Sequence, residues 1–276
     1  MPQDLLHKLV YAFLSGLTEF LPVSAQPHQM LYRVMTGFDS GDIWLTLSIH
    51  IGALLALLFS CKERIKRLNQ ERRLSSLSRR RRNRQPDLTA LLDIQVLKTA
   101  AIPVLLSLLL SRRAGELISG VLLLALALLV NGILLFIPRL LEQGNKDGRG
   151  MSRLDSMMIG LGGTLGVVPG ISRIGGMISA GLARGVDRRY ILDTALLLCI
   201  PATVGLIILD IFAAVTAKAV LSGAAALCIA TGGLSFGGAM LGIALMRYLS
   251  VKAGFTGFSY YSFGLALFSF ILFLMV

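Results

Sequence analysis

Apolar residues run along this chain in long unbroken blocks and do not alternate with polar ones. A helix needs about 20 apolar residues to cross a lipid core. Six stretches meet that length: 43–60, 88–110, 117–137, 190–214, 220–246 and 255–276. Pro103 lies inside the second and predicts a kink there. Two other apolar regions are interrupted. GLTEFLPVSAQPHQM (16–30) carries Pro22, Pro27 and ionisable residues, and GVVPGISRIGG (166–176) carries Pro169 and four glycines. Residues 16–36 and 157–182 are too broken for straight spans. Each reads as a re-entrant helix–loop–helix, because irregular backbone at membrane depth survives where protein or a water-filled cavity surrounds it. The predicted fold class is an all-α polytopic membrane protein with about six transmembrane helices and two re-entrant units.

The two interrupted regions echo each other. Pro22-Val23-Ser24 matches Pro169-Gly170-Ile171-Ser172, and Gly37-Phe38-Asp39 matches Gly185-Val186-Asp187. A long apolar block follows each echo. Three spans and one re-entrant unit per half would place the halves, about 1–137 and 138–276, in opposite orientations. That is the inverted-repeat plan of many transporters, within a single membrane domain over 1–276.

Composition supports the membrane assignment: mean hydropathy is +0.74 and only 15% of residues are charged. MPQDLLHKLV lacks the basic opening of a cleavable signal peptide. The net charge of +12 collects in loops, above all in the segment 61–87. Between Lys62 and Arg84 stand 11 basic residues and two acids. The reading is a cytoplasmic topology signal, with contact to anionic lipid headgroups as the sharper alternative. No aromatic residue interleaves these arginines, which argues against nucleic acid. Alternating from a cytoplasmic 61–89 places about 20 of the 27 Lys and Arg residues inside. Lys8, Arg33, Arg112, Arg113 and Lys218 fall outside, as do both termini. Cys61, Cys199 and Cys228 have no metal or disulfide spacing and read as packing residues.

Ionisable residues at membrane depth are candidate functional groups by default. Arg173 follows Pro169-Gly170 at a predicted helix start, where free N–H groups favour anions. Its planar fork suits phosphate oxygens. Ser172 adds a hydroxyl, and Gly170, Gly175 and Gly176 would let backbone approach a ligand. The plain alternative is an arginine paired with a carboxylate. Glu19 could hold a divalent cation, act as a general base, or pair with Arg173. His28 could attack phosphorus, protonate a leaving group, or hydrogen-bond within its loop. Ser24 reads as a helix cap more than a nucleophile. His50 lies inside the first span, where packing is favoured over lining a cavity. Lys98 and Asp210 read as interface residues near span ends that snorkel.

GLTEFLPVS followed by a histidine, PGISR with trailing glycines, SIHIGALLALL and the basic loop together resemble the undecaprenyl-diphosphate phosphatase family of the bacitracin-resistance type. The likeness covers essentially the whole chain. It implies removal of the terminal phosphate from undecaprenyl diphosphate, a polyprenyl diphosphate lipid, with magnesium or calcium as divalent cation. It further implies a dimer-forming protein of the bacterial plasma membrane whose site opens to the outer face. Carried over by motif, Glu19, His28 and Arg173 would be catalytic, with Glu19 on the metal. Ser24, Gly170, Ser172, Arg173, Gly175 and Gly176 would bind substrate. Ser15 stands where the family has a second glutamate. Ala25, Gln26 and Pro27 replace a serine and a Thr-Gly, and Ile174 replaces a serine. The alternative implied by those departures is a weakened paralogue that binds or translocates a polyprenyl phosphate.

Overall fold

The computed structural model describes residues 2–111, 120–219, 225–252 and 254–275. Arg112, Arg113 and the expected starts of the third and fifth spans at 117 and 220 lie outside the described residues. Eleven α-helices are defined in chain order within those residues. They are α1 (Pro2–Glu19), α2 (Ala25–Thr36), α3 (Ile43–Ser60), α4 (Lys62–Ser76), α5 (Leu88–Leu108) and α6 (Val121–Phe136). In the second half follow α7 (Arg153–Thr164), α8 (Arg173–Ala183), α9 (Arg188–Thr216), α10 (Ala225–Lys252) and α11 (Thr256–Met275). Among the described residues, six helical stretches are long and apolar enough to cross a membrane: α3, α5, α6 with its 3-10 extension to Leu140, α9, α10 and α11. α5 continues through Pro103.

Of the remaining helices, α1 with α2 and α7 with α8 form two hairpins. α2 and α8, with 12 and 11 residues, reach only about 18 Å and 17 Å at 1.5 Å per residue. Neither length crosses a lipid core of about 30 Å. Both hairpin turns, 20–24 and 169–172, are buried inside the protein. This is the arrangement expected of units that enter and leave on one side. The first unit is longer than the sequence suggests: α1 starts at Pro2, not near Gly16. Asp4, His7 and Lys8 break its apolar pattern but satisfy one another's surroundings at one end. Lys8 pairs with Asp4 at 3.5 Å and Asp42 at 3.6 Å, and His7 bonds the Tyr32 hydroxyl at 2.8 Å.

Packing partners exchange between the halves. α1 packs on α10 as α7 packs on α5, and α10 lies against α3 as α5 lies against α9. The pairs α3–α9 and α6–α11 close the assembly. Glycine allows the closest of these approaches: a Cβ on Gly16 would clash with the Ser235 carbonyl of α10. Small residues at such crossings let helix backbones approach in a membrane, where burial of apolar surface no longer drives association. The Gly37/Gly185 echo is also a conformational one, since both adopt positive φ, +68° and +76°. The aspartate echo is shifted by three residues. The cap of α9 is Asp187, but the matching cap of α3 is Asp42, not Asp39.

The basic segment is largely helical and docked. Arg64 reaches Asp193 at 3.2 Å and Asp93 at 3.4 Å, and Arg67 reaches Asp87 at 2.5 Å. Glu71 pairs with Arg84 and accepts the Asp87 N–H at 2.9 Å. The Arg84 guanidinium, then that N–H, hold the Glu71 carboxyl below the ordinary glutamate range. At the base of the second hairpin, Asp155 is 1% exposed and closes a capping box with Ser152. It also accepts from Arg184 at 2.7 Å and Lys146 at 3.4 Å. Burial raises its pKa, but the Ser152 and Arg184 bonds and the Lys146 charge outweigh that and bring it to about 2.

Candidate functional site

The two hairpin turns meet, and a single asparagine joins them. Asn131 of α6 is fully buried. Its amide donates to the Pro22 carbonyl at 3.0 Å and to the Ser262 hydroxyl at 3.0 Å. Its oxygen accepts the Ser172 N–H at 2.9 Å. Ser172 Oγ donates to the Leu21 carbonyl at 3.3 Å and accepts the Gly175 N–H at 3.1 Å, capping α8. Asn131 is the polar letter in the most hydrophobic span, and that isolation was the signal for it.

Beside this clasp lies a cavity of about 240 Å³. Glu19, Ser24, Gln26, Gln29, His50, Ser172 and Arg173 line it. It shares Tyr11, Gln26 and Gln29 with a wider vestibule of about 620 Å³ that Arg33 and Asp39 also line. The vestibule sits at the α2–α3 connection, the end of α3 opposite the basic helix α4.

The charges in the cavity are unspent. Arg173 Nε is buried with no hydrogen-bond partner. Among the described residues, neither Glu19 nor Arg173 has a hydrogen-bonded or ion-pair partner, so they are not simply a structural pair. Glu19 ends α1, where the helix dipole is negative, and Arg173 begins α8, where it is positive. The cavity therefore has a cation-seeking pole and an anion-seeking pole. The anion-seeking pole is widened by α2, whose first turn (Ala25, Gln26) also faces in. Its cap residue Ser24 makes no side-chain cap bond, which leaves N–H groups free. Ser24 holds φ +62°, ψ 134°, a strained conformation for a residue with a Cβ that costs on the order of 1–3 kcal/mol. Such strain concentrates where function requires it.

Several expected ligands sit elsewhere. His28 is 8% exposed and does not line the cavity. Its Nδ1–H donates to the Ser24 carbonyl at 2.8 Å, and its Nε2 accepts from the Tyr261 hydroxyl at 2.7 Å. Its ring stacks on Tyr261. Both nitrogens are thus engaged within the protein. Gly170 is needed for its backbone: φ is +103°, and a Cβ would lie 2.6 Å from Ala127 Cβ. Gly176 packs against the Gly162 carbonyl, and Gly175 against Ser172, Leu135 and Pro22. These glycines shape helix contacts and do not line the cavity. Ser172 lines it, but with its hydroxyl already engaged. Conversely His50, expected to pack, lines the cavity, and Asp210 pairs with it instead of snorkelling. Ser15 is fully buried with an unpartnered hydroxyl and does not line the cavity.

Among the described residues, no three His, Cys, Asp or Glu side chains form a metal cluster. One carboxylate, Glu19, fits a hard cation only when phosphate oxygens complete the shell, which is how magnesium is commonly held.

Fold and cavity define a polytopic membrane protein with a bipolar charged cavity clasped between two helical hairpins. The chain belongs to the family described as Bacitracin resistance protein BacA, whose family model matches residues 8–268. Among its relatives are proteins named undecaprenyl-diphosphatase. The one from Methanobrevibacter smithii is 30% identical over 214 residues, 75% of this chain and 76% of its own. The one from Desulfosudis oleivorans is 32% identical over 204 residues, 71% and 73% of the two chains. The one from Roseobacter denitrificans is 29% identical over 264 residues, 93% and 94% of the two chains.

Proposed function

We propose that this protein is a phosphatase of the bacterial plasma membrane. It hydrolyses undecaprenyl diphosphate to undecaprenyl phosphate and inorganic phosphate, recycling the lipid carrier of cell-wall synthesis. The observation that carries this reading is Arg173, a cation at a helix start, buried at Nε without a partner and turned to a cavity. A diphosphate supplies the missing acceptors. Arg173 grips one phosphoryl group through its fork, and the free N–H groups opening α2 take further oxygens. Glu19, at the opposite pole, repels a bare diphosphate. Glu19 is the residue that would hold a divalent cation such as magnesium, and the chemistry such an ion would supply is the offsetting of phosphate charge. The vestibule beside Arg33 admits the headgroup from the outer face, and the prenyl chain remains in lipid.

The test is phosphate release from undecaprenyl diphosphate by purified protein in detergent. Arg173→Gln is expected to lower kcat/KM by at least about 100-fold, the scale of losing a charged hydrogen-bond donor to the reacting group. Absence of release by the unaltered protein across pH and cation conditions would overturn the proposal.

A further inference from the structure

His50, within the SIHIGALLALL stretch, and Asp210, outside the quoted motifs, form a half-buried pair. His50 is the eighth residue of α3, about 10 Å along the helix from its start. Asp210 lies six residues before the end of α9, about 9 Å in from the same side. The two helices pack together, so the residues meet at equal depth. His50 Nδ1 lies 2.5 Å from Asp210 Oδ2. A carboxylate can only accept, so Nδ1 carries the proton. That tautomer leaves Nε2 with a lone pair, and among the described residues Nε2 has no partner. His50 lines the same cavity as Glu19, Ser172 and Arg173.

We infer that His50 is the proton acceptor of the hydrolysis and that Asp210 is its positioning residue. The inference rests on the diphosphatase reading above. A water oxygen bonds to the terminal phosphorus while its proton passes to His50 Nε2. The bridging P–O bond breaks, and its electron pair leaves with the polyprenyl phosphate. His50 then returns the proton to a product phosphate. Asp210 fixes the tautomer and offsets the charge of the protonated ring, as carboxylates do for catalytic histidines elsewhere. The charged groups around the ring are Glu19 from α1, Arg173 from α8 and Asp210 from α9. From α10, the groups beside this part of α3 are hydroxyls: Thr231 bonds Ser48 at 2.7 Å and Ser235 bonds the Ile49 carbonyl at 2.8 Å. His28 is unsuited to the role because both its nitrogens are occupied.

The test compares His50→Gln, His50→Ala, Asp210→Asn and His28→Gln for phosphate release and for binding of a non-hydrolysable prenyl methylene-diphosphonate. His50→Gln is expected to lower kcat by 10²–10⁴-fold, the usual scale of general-base loss, with probe affinity within about threefold. Added imidazole is expected to restore part of the rate to His50→Ala, and to fail in His50→Ala/Asp210→Asn, a readout that packing damage alone does not give. If His50→Gln does not purify as a folded protein, Asp210→Asn carries the comparison, with a loss of at least tenfold in kcat expected. An active parent whose His50→Gln and Asp210→Asn variants keep kcat within threefold overturns this assignment and leaves the diphosphatase reading standing. A parent that binds the probe without hydrolysing the lipid overturns both.

Discussion

Replacing Asn131 by alanine removes one side chain and frees both hairpin turns. Its amide and carbonyl make three hydrogen bonds, to Pro22, Ser262 and Ser172, from a site with no solvent exposure. The Ser262 hydroxyl can rotate to another partner. The Pro22 carbonyl and the Ser172 N–H cannot, and each is left buried and unsatisfied at about 1–3 kcal/mol. The expected loss is therefore about 2–6 kcal/mol. At roughly 2–4 °C per kcal/mol for a chain near this size, the midpoint of thermal unfolding should fall by about 10 °C. Ser262→Ala supplies the control: it removes one of the three bonds and should shift the midpoint by a quarter of that or less. Both are measured by intrinsic fluorescence during heating in one detergent. The diphosphonate probe should lose affinity in Asn131→Ala and keep it in Ser262→Ala, because only the former loosens Arg173 from the first turn. A midpoint change under 2 °C with unaltered probe affinity would refute the clasp.

Four other outcomes follow from the geometry. Gly170→Ala must place a Cβ at φ +103° against Ala127; it should lower the unfolding midpoint by several degrees, and an unchanged midpoint would contradict the packing role. Asp155 has a folded pKa of about 2 against an ordinary value of 3.8, so its stabilisation is complete above about pH 4 and is lost as pH falls toward 2. Asp155→Asn should accordingly be less stable at pH 7 by about 2 kcal/mol, and most of that gap to the parent in chemical unfolding should close between pH 4 and 2. His28→Gln should retain phosphate release within about tenfold of the parent, since the loss is one of loop support, at the lower edge of general acid–base effects. Magnesium titrated calorimetrically should bind measurably only when the diphosphonate probe is present, and Glu19→Gln should abolish that dependence.

The six spans were legible because their apolar runs are uninterrupted, and the two hairpins because proline, serine and charge intrude together. The start of the first hairpin was not, since Asp4, His7 and Lys8 interrupt the apolar pattern and only the pairing of Lys8 with Asp4 and Asp42 accommodates them in one helix. Glu19 and Arg173 were found because a lone charge in an apolar run is conspicuous. His28 was conspicuous for the same reason, yet its direction depends on Tyr261, 233 residues away. His50 and Asp210 each looked ordinary alone, being one polar residue among several in separate spans 160 residues apart. Pairing across that separation is a property of helix packing, not of local pattern. The glycines of 170–176 stand at close approaches, and the neighbours of Gly170 and Gly176, Ala127 and Gly162, come from distant parts of the chain.

The clasp between the turns has a consequence for movement. A carrier on an inverted-repeat plan exposes its centre to alternate sides by rocking one half against the other. Here that stroke would part the Ser172 hydroxyl from Leu21 and the Ser172 N–H from Asn131 in the same instant. These two bonds oppose that stroke, and on the phosphatase proposal a lipid headgroup that enters from the vestibule is expected to leave on the same side.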